Sequence, residues 1–143
     1  MKAKPKISFF EGLEGIKTVL DDTLNVQNKT LRGILSMEDL YKIPGKKFMD
    51  DYVKRRIEAG LRLRVIRSKS KDIASDWSGG FAENRDLRYP PVNMVFDMTT
   101  YIYDNKVGLI SSAKENFGMI IESQEFSRNM GYLFEALWQI SAT

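Results

Sequence analysis

The pattern of apolar residues changes character near residue 68, and that change limits the folds open to the chain. Up to Arg67 strand-like runs alternate with helical stripes. ISFFEG, residues 7–12, reads as a strand ending in a glycine turn, and LEGIKTVLDDTLNVQ then sets Ile16, Val19, Leu20 and Leu24 on one helical face. A second strand, TLRGILSM, a short helix over Glu38–Ile43 and the break Pro44-Gly45 come next. KKFMDDYVKRRIEAG gathers Phe48, Tyr52, Val53 and Ile57 on one face and closes with Arg55, Arg56 and Gly60, which suit a helix C-terminus. LRLRVIR completes this half as a strand. Strand, helix, strand, helix, strand predicts parallel pairing through right-handed crossovers.

Beyond Ser68 the periodicity stops. Residues 68–91 are polar and turn-rich, with Gly79-Gly80, Pro90-Pro91 and the isolated aromatics Trp77, Phe81 and Tyr89, and a short helix is expected around Lys71–Trp77. MVFDMTTYIYDNKVGLISSAKENFGMIIES, residues 94–123, reads as three strands whose short connections make them antiparallel, with Asp104-Asn105 as a hairpin turn. The final stretch, SQEFSRNMGYLFEALWQIS, predicts a helix capped by Ser123. Its stripe of Phe126, Met130, Leu133, Phe134, Leu137 and Trp138 is expected to pack on the core, with a dimer face as the alternative for so wide and aromatic a surface.

Composition narrows the chemistry. The 143 residues are 43% hydrophobic, enough for one compact core, so residues 1–6 are expected to be a polar tail and 7–143 a single domain. There is no cysteine, which removes disulfides and thiolate metal sites and points to a reducing cytoplasm. No apolar run approaches the roughly 20 residues of a membrane span. The net charge of +3 is spread among 19 acidic residues, the mark of a solvated surface rather than a nucleic-acid footprint. The chain has no histidine, which removes the commonest general base, the commonest neutral metal ligand and the phosphohistidine nucleophile together. The adjacent acids Asp21-Asp22, Glu38-Asp39 and Asp50-Asp51 point in different directions on helices, so neither metal nor cofactor is expected.

The hairpin can be set against HxKxxxxD, the pattern of phospholipase D-like enzymes. Aligned on Asp104, the histidine position holds Asp97 and the lysine position Thr99. In those enzymes the imidazole attacks phosphorus and the lysine neutralises phosphate oxygens; a carboxylate and a hydroxyl can do neither. That mechanism is excluded, and the chain is expected not to be an enzyme. Ser111, Ser112 and Asn116 stand where such folds show Gly-Ser and Asn, with ordinary turn hydrogen bonds as the simpler role. Asp97 interrupts an apolar run and needs a partner if buried. Arg67 falls at the C-terminal end of its strand, where open α/β sheets bind ligands, with Lys69 and Lys71 just beyond as further anion-binding candidates.

Taken in order, FFEGLEGIKTVLDDTL, DDYVKRRIEAGLRLRVI, TTYIYDNKVGLISS, ENFGMIIES and LFEALWQIS resemble the effector half of TrmB-type transcriptional regulators. The resemblance implies an α/β fold, a mixed sheet flanked by helices with phospholipase D-like topology and without the HxKxxxxD residues. It also implies a homodimer that senses a small polar effector, such as a sugar or sugar phosphate. DNA would be bound only through a winged helix-turn-helix that precedes the FFEG-like strand in the family and is not in this sequence. The expected ligand residues are Asp97, Thr99, Ser111, Ser112, Asn116 and Arg67, beneath a cover formed by the Trp77–Tyr89 loop. Two alternatives stay open: a protein-interaction module, and a hydrolase whose carboxylate chemistry uses Asp97 and Asp104.

Overall fold

The computed structural model describes residues 4–72 and 84–143. Strand β1 (Lys6–Glu11) turns at Gly12 into helix α1 (Gly12–Thr23), and β2 (Thr30–Leu35) leads into the short α2 (Met37–Leu40). A wide turn over Tyr41–Gly45 passes into α3 (Lys46–Glu58), then β3 (Arg62–Arg67) and a single 3-10 turn at Lys69–Lys71. Four further strands follow, β4 (Arg85–Arg88), β5 (Met98–Tyr103), β6 (Lys106–Ser111) and β7 (Phe117–Glu122), before helix α4 (Gln124–Ile140).

The seven strands form one mixed sheet in the order β1-β7-β6-β5-β2-β3-β4. β2, β3 and β4 are parallel, and β5, β6 and β7 form the antiparallel meander expected from their short turns. β1 departs from expectation, because it does not join β2 but pairs antiparallel with β7 at the far edge. The reason lies in glycines. A Cβ at Gly118 would sit 2.4 Å from the Gly15 carbonyl oxygen, and one at Gly15 would sit 2.3 Å from that of Phe10. Backbone therefore rests on backbone, and α1 lies directly over β7 with β1 folded in beside it.

Two smaller differences have equally local causes. The strand expected from Met94 starts only at Met98, because Ser68 claims the intervening backbone: its hydroxyl accepts from the Phe96 N–H at 3.0 Å and donates to the Met94 carbonyl at 3.0 Å. β4 lies inside the stretch expected to be loop. The helix expected around Lys71–Trp77 falls largely outside the described residues.

The sheet separates two apolar layers. On one face Leu31, Leu35, Leu63, Val65, Tyr101 and Ile110 pack with Ile16, Val19 and Leu20 of α1 and Met49, Tyr52 and Val53 of α3. On the other, Ile34, Ile66 and Ile102 meet Phe134, Met130, Leu137 and Trp138 of α4. Each fully buried aliphatic or aromatic side chain contributes about 1.5–3 kcal/mol, so the first layer holds most of the stability. Ser123 caps α4 as expected, its hydroxyl accepting from the Phe126 N–H at 3.2 Å. The helix's stripe is narrower than expected, for Leu133 remains 64% exposed while Phe134 is buried. Among the described residues no helix is long and apolar enough to cross a membrane.

Candidate functional site

Because β5 runs against β2, β3 and β6, its first residues meet the last residues of those three strands at one edge of the sheet. Polar side chains collect there. The Ser36 N–H, just past β2, donates to the buried Thr99 hydroxyl at 3.0 Å, and the Ser36 hydroxyl donates to Asp39. Lys71, from the turn after β3, places its ammonium between two carboxylates, 2.8 Å from Asp39 Oδ2 and 3.0 Å from Asp97 Oδ1. Burial pushes the Asp39 carboxyl up, but the hydrogen bonds from Lys71 and Ser36 and the charge of Lys71 outweigh it, leaving its pKa below the ordinary value. Burial likewise pulls Lys71 down, and Asp39 and Asp97 more than reverse this. The result is a fixed cation whose outer partner, Asp97, keeps 79% of its side chain in solvent.

The expected ligand residues are not all gathered by this edge. Asp97 and Thr99 join the Lys71 network. Arg67 is buried on the face that carries Thr99, bonded to Asp72 at 3.3 Å, and Asp72 also accepts from the Tyr89 hydroxyl at 2.7 Å. Ser111 lies opposite Met98, and strand alternation puts it on the α4 face, away from Thr99. Ser112 Oγ and Asn116 Oδ1 are buried without a hydrogen-bond partner among the described residues. Asp104 follows the last residue of β5 at the opposite end of the sheet, where it accepts from the Gln27 N–H at 3.1 Å. Seven residues of extended chain, about 23 Å, separate it from Asp97, so the two carboxylates cannot share a reacting atom.

Asp39, Ser36, Arg56 and Arg85 were not among the site residues expected from the sequence. Ser36-x-x-Asp39 at the head of a short helix, a variant of the reciprocal capping pattern, was the available signal for the first two. The arginines line a small, partly open space beneath α3 together with Arg67, Tyr52 and Tyr101.

No family model matches the sequence, and no curated protein does. Solved structures are more informative. The chain superposes on NucT from Helicobacter pylori with a TM-score of 0.69 at 10% identity, covering 97% of this chain and 99% of that one. A phospholipase D family member, Nuc from Salmonella typhimurium, gives a TM-score of 0.70 at 11% identity over 96% and 97% of the two chains. TrmBL2, described as an archaeal chromatin protein with a novel mode of DNA binding, gives 0.63 at 10% identity; the match covers 95% of this chain but only 54% of that protein. The fold is phospholipase D-like.

This likeness overturns the expectation of a non-enzyme. The chain shares its architecture, nearly end to end, with phospholipase D family members. The lack of histidine removes the phosphohistidine route and nothing more, since a fixed ammonium beside carboxylates remains at the sheet edge.

Proposed function

We propose that the chain is the effector-sensing and dimerisation domain of a TrmB-like cytoplasmic transcriptional regulator, with its ligand taken at the sheet edge that carries Asp97. The observation that supports this most is the Asp39–Lys71–Asp97 bridge, in which Asp39 is held inside while Asp97 faces solvent. A sugar or sugar phosphate would exchange hydroxyls or phosphate oxygens for the outer half of that bridge. Ser112 and Asn116 offer further hydrogen-bonding capacity that the described residues do not use. DNA would be engaged by a winged-helix domain outside this chain.

Dimerisation would use apolar surface left in water. Ile7 and Phe9 on the edge strand β1 are 66% and 55% exposed, Phe9 stacks on Phe117 at 5.4 Å, and Tyr132, Leu133 and Ile140 line the outer side of α4. Light scattering should show a two-chain mass; a single-chain mass at tens of micromolar would remove this half of the reading.

The sensing half is tested by a thermal-shift screen of sugars, sugar phosphates and nucleotides. Ligand at 100-fold over its dissociation constant should add about 2.7 kcal/mol, and the shift should vanish in Asp97→Ala. A shift unchanged by that substitution would place the sensor elsewhere. Turnover of a generic phosphodiester that Lys71→Met abolishes would assign the edge to chemistry instead.

A further inference from the structure

Three guanidinium groups converge beneath α3, at a site separate from the Asp97 edge. Arg56 projects from α3, Arg67 from the end of β3 and Arg85 from the start of β4, and all three line one small cavity with Tyr52, Tyr101 and Leu63. The space open to a water-sized sphere is about 20 Å³. Arg56 and Arg67 are 2% and 3% exposed.

Their charges are not balanced in kind. Arg67 is paired with Asp72. Among the described residues Arg56 has carbonyl partners only, donating from Nη1 to Leu61 O at 3.2 Å and to Asn84 O at 3.3 Å. Carbonyls satisfy N–H groups but leave the charge whole. Arg85 makes neither a hydrogen bond nor an ion pair with any described residue. Its pKa is lowered by burial first and then by the like charges of Arg67 and Arg56, as expected for guanidiniums crowded in a poorly solvated space. Among the described residues the three guanidiniums meet one carboxylate, and cations in such excess under a helix favour a counter-charge.

We propose that this cavity is a binding site for a compact anion, held between the guanidiniums of Arg56 and Arg85 with Arg67 closing its inner end. The chemistry of the walls fits an anion with several acceptor positions, because guanidinium N–H groups are donors only. The size of the space sets the limit: it admits a halide ion, or one face of an oxyanion entering past half-exposed Arg85. The tyrosine hydroxyls and apolar walls leave little room for a sugar. This site does not depend on the sensing role of the Asp97 edge.

The test is thermal stability of the whole chain in a buffer of a bulky organic anion, titrated at constant ionic strength with chloride in one arm and inorganic phosphate in the other. At low-millimolar concentrations general salting effects are small, so a specific site shows as a shift that saturates. Saturation in the chloride arm alone assigns a halide site, and saturation in the phosphate arm an oxyanion site. Arg85→Met should weaken the apparent affinity by at least about tenfold, whereas Asp97→Ala should leave it unchanged. No saturation in either arm, or equal saturation in wild type and Arg85→Met, overturns the proposal. If Arg85→Met does not fold, crystals of the wild type soaked in bromide decide: an anomalous peak among the three guanidiniums supports the site, and an empty cavity refutes it.

Discussion

The two faces of the sheet treat the arginines gathered on them oppositely. On the α4 face Arg32 and Arg64 share Glu135, with Arg64 donating to both carboxylate oxygens at 2.7 and 2.8 Å and Arg32 to one at 3.1 Å. Arg64 and Arg88 also lie over the Trp138 ring at 4.6 and 4.5 Å, and Arg88 donates to the Trp138 carbonyl at 2.8 Å. The strands supply the cations, and one helix, α4, supplies both the carboxylate and the aromatic face. On the α3 face Arg56, Arg67 and Arg85 share a cavity and, among the described residues, one nearby carboxylate, Asp72. Charge on the α4 face is used up in holding the helix to the sheet; on the α3 face some of it is left for a ligand.

The strongest way to break this comparison is through Phe134, the buried ring that Arg32 and Arg64 overlie. Phe134→Ala should cost about 3–4 kcal/mol in urea denaturation, the range for emptying a packed aromatic site. A loss below about 1 kcal/mol would mean that α4 is held by its charges alone.

Glu135→Ala should cost less, about 1–2 kcal/mol, because the pair is charge-assisted and bidentate but partly in water. The hydrogen bond from Arg64 comes first among the causes that put the Glu135 pKa below the ordinary 4.5, against opposing burial. A depressed carboxylate stabilises the fold above its unfolded pKa and ceases to do so as pH falls through the folded value. The difference between wild type and Glu135→Ala should therefore be full at neutral pH and shrink below about 4.5. A difference that persists at pH 2 would show that the contact is packing rather than charge.

Arg85→Met sharpens the comparison by its sign. Without small anions it should stabilise by about 0.5–1 kcal/mol, since it removes a repelled cation from a half-buried position. Arg64→Met should destabilise under the same conditions. Losses of equal size in both would erase the asymmetry between the faces.

The smallest effect belongs to the sheet edge. Asp97→Ala should change stability by no more than about 0.5 kcal/mol, as for other exposed ion pairs. A larger loss in chemical denaturation would make Asp97 a structural member of the Lys71 network rather than its replaceable outer partner.

Much of the fold was legible because its elements carry strong local periodicity. The helices at Ile16–Leu20 and Tyr52–Ile57, the β2–β3 parallel pair and the β5–β7 meander all follow from spacing and connection length. The position of β1 did not, for no local pattern in ISFFEG distinguishes β7 from β2 as its neighbour; the choice rests on the contact of Gly15 with Gly118, far apart in sequence. The candidate site was half legible. Asp97 and Arg67 stood out as charges in apolar strands, whereas Lys71 and Asp39 become partners only when the turn after β3 folds over the head of α2. Arg85 lay in a stretch without periodicity, so nothing announced the strand that aims it at Arg56.

Pairing β1 with β7 also orders events in the making of the protein. Lys6 faces Glu122, and every other strand lies between them in the chain. Contacts so remote in sequence close slowly, and during synthesis they cannot close until the partner has been made. β1 leaves the ribosome while β7 is still untranslated, carrying Ile7 and Phe9 on an unpaired edge. Of the seven strands of this sheet, the first to be made is thus the one that waits longest for its neighbour, and that interval is when the growing sheet is most exposed to pairing with another copy of itself.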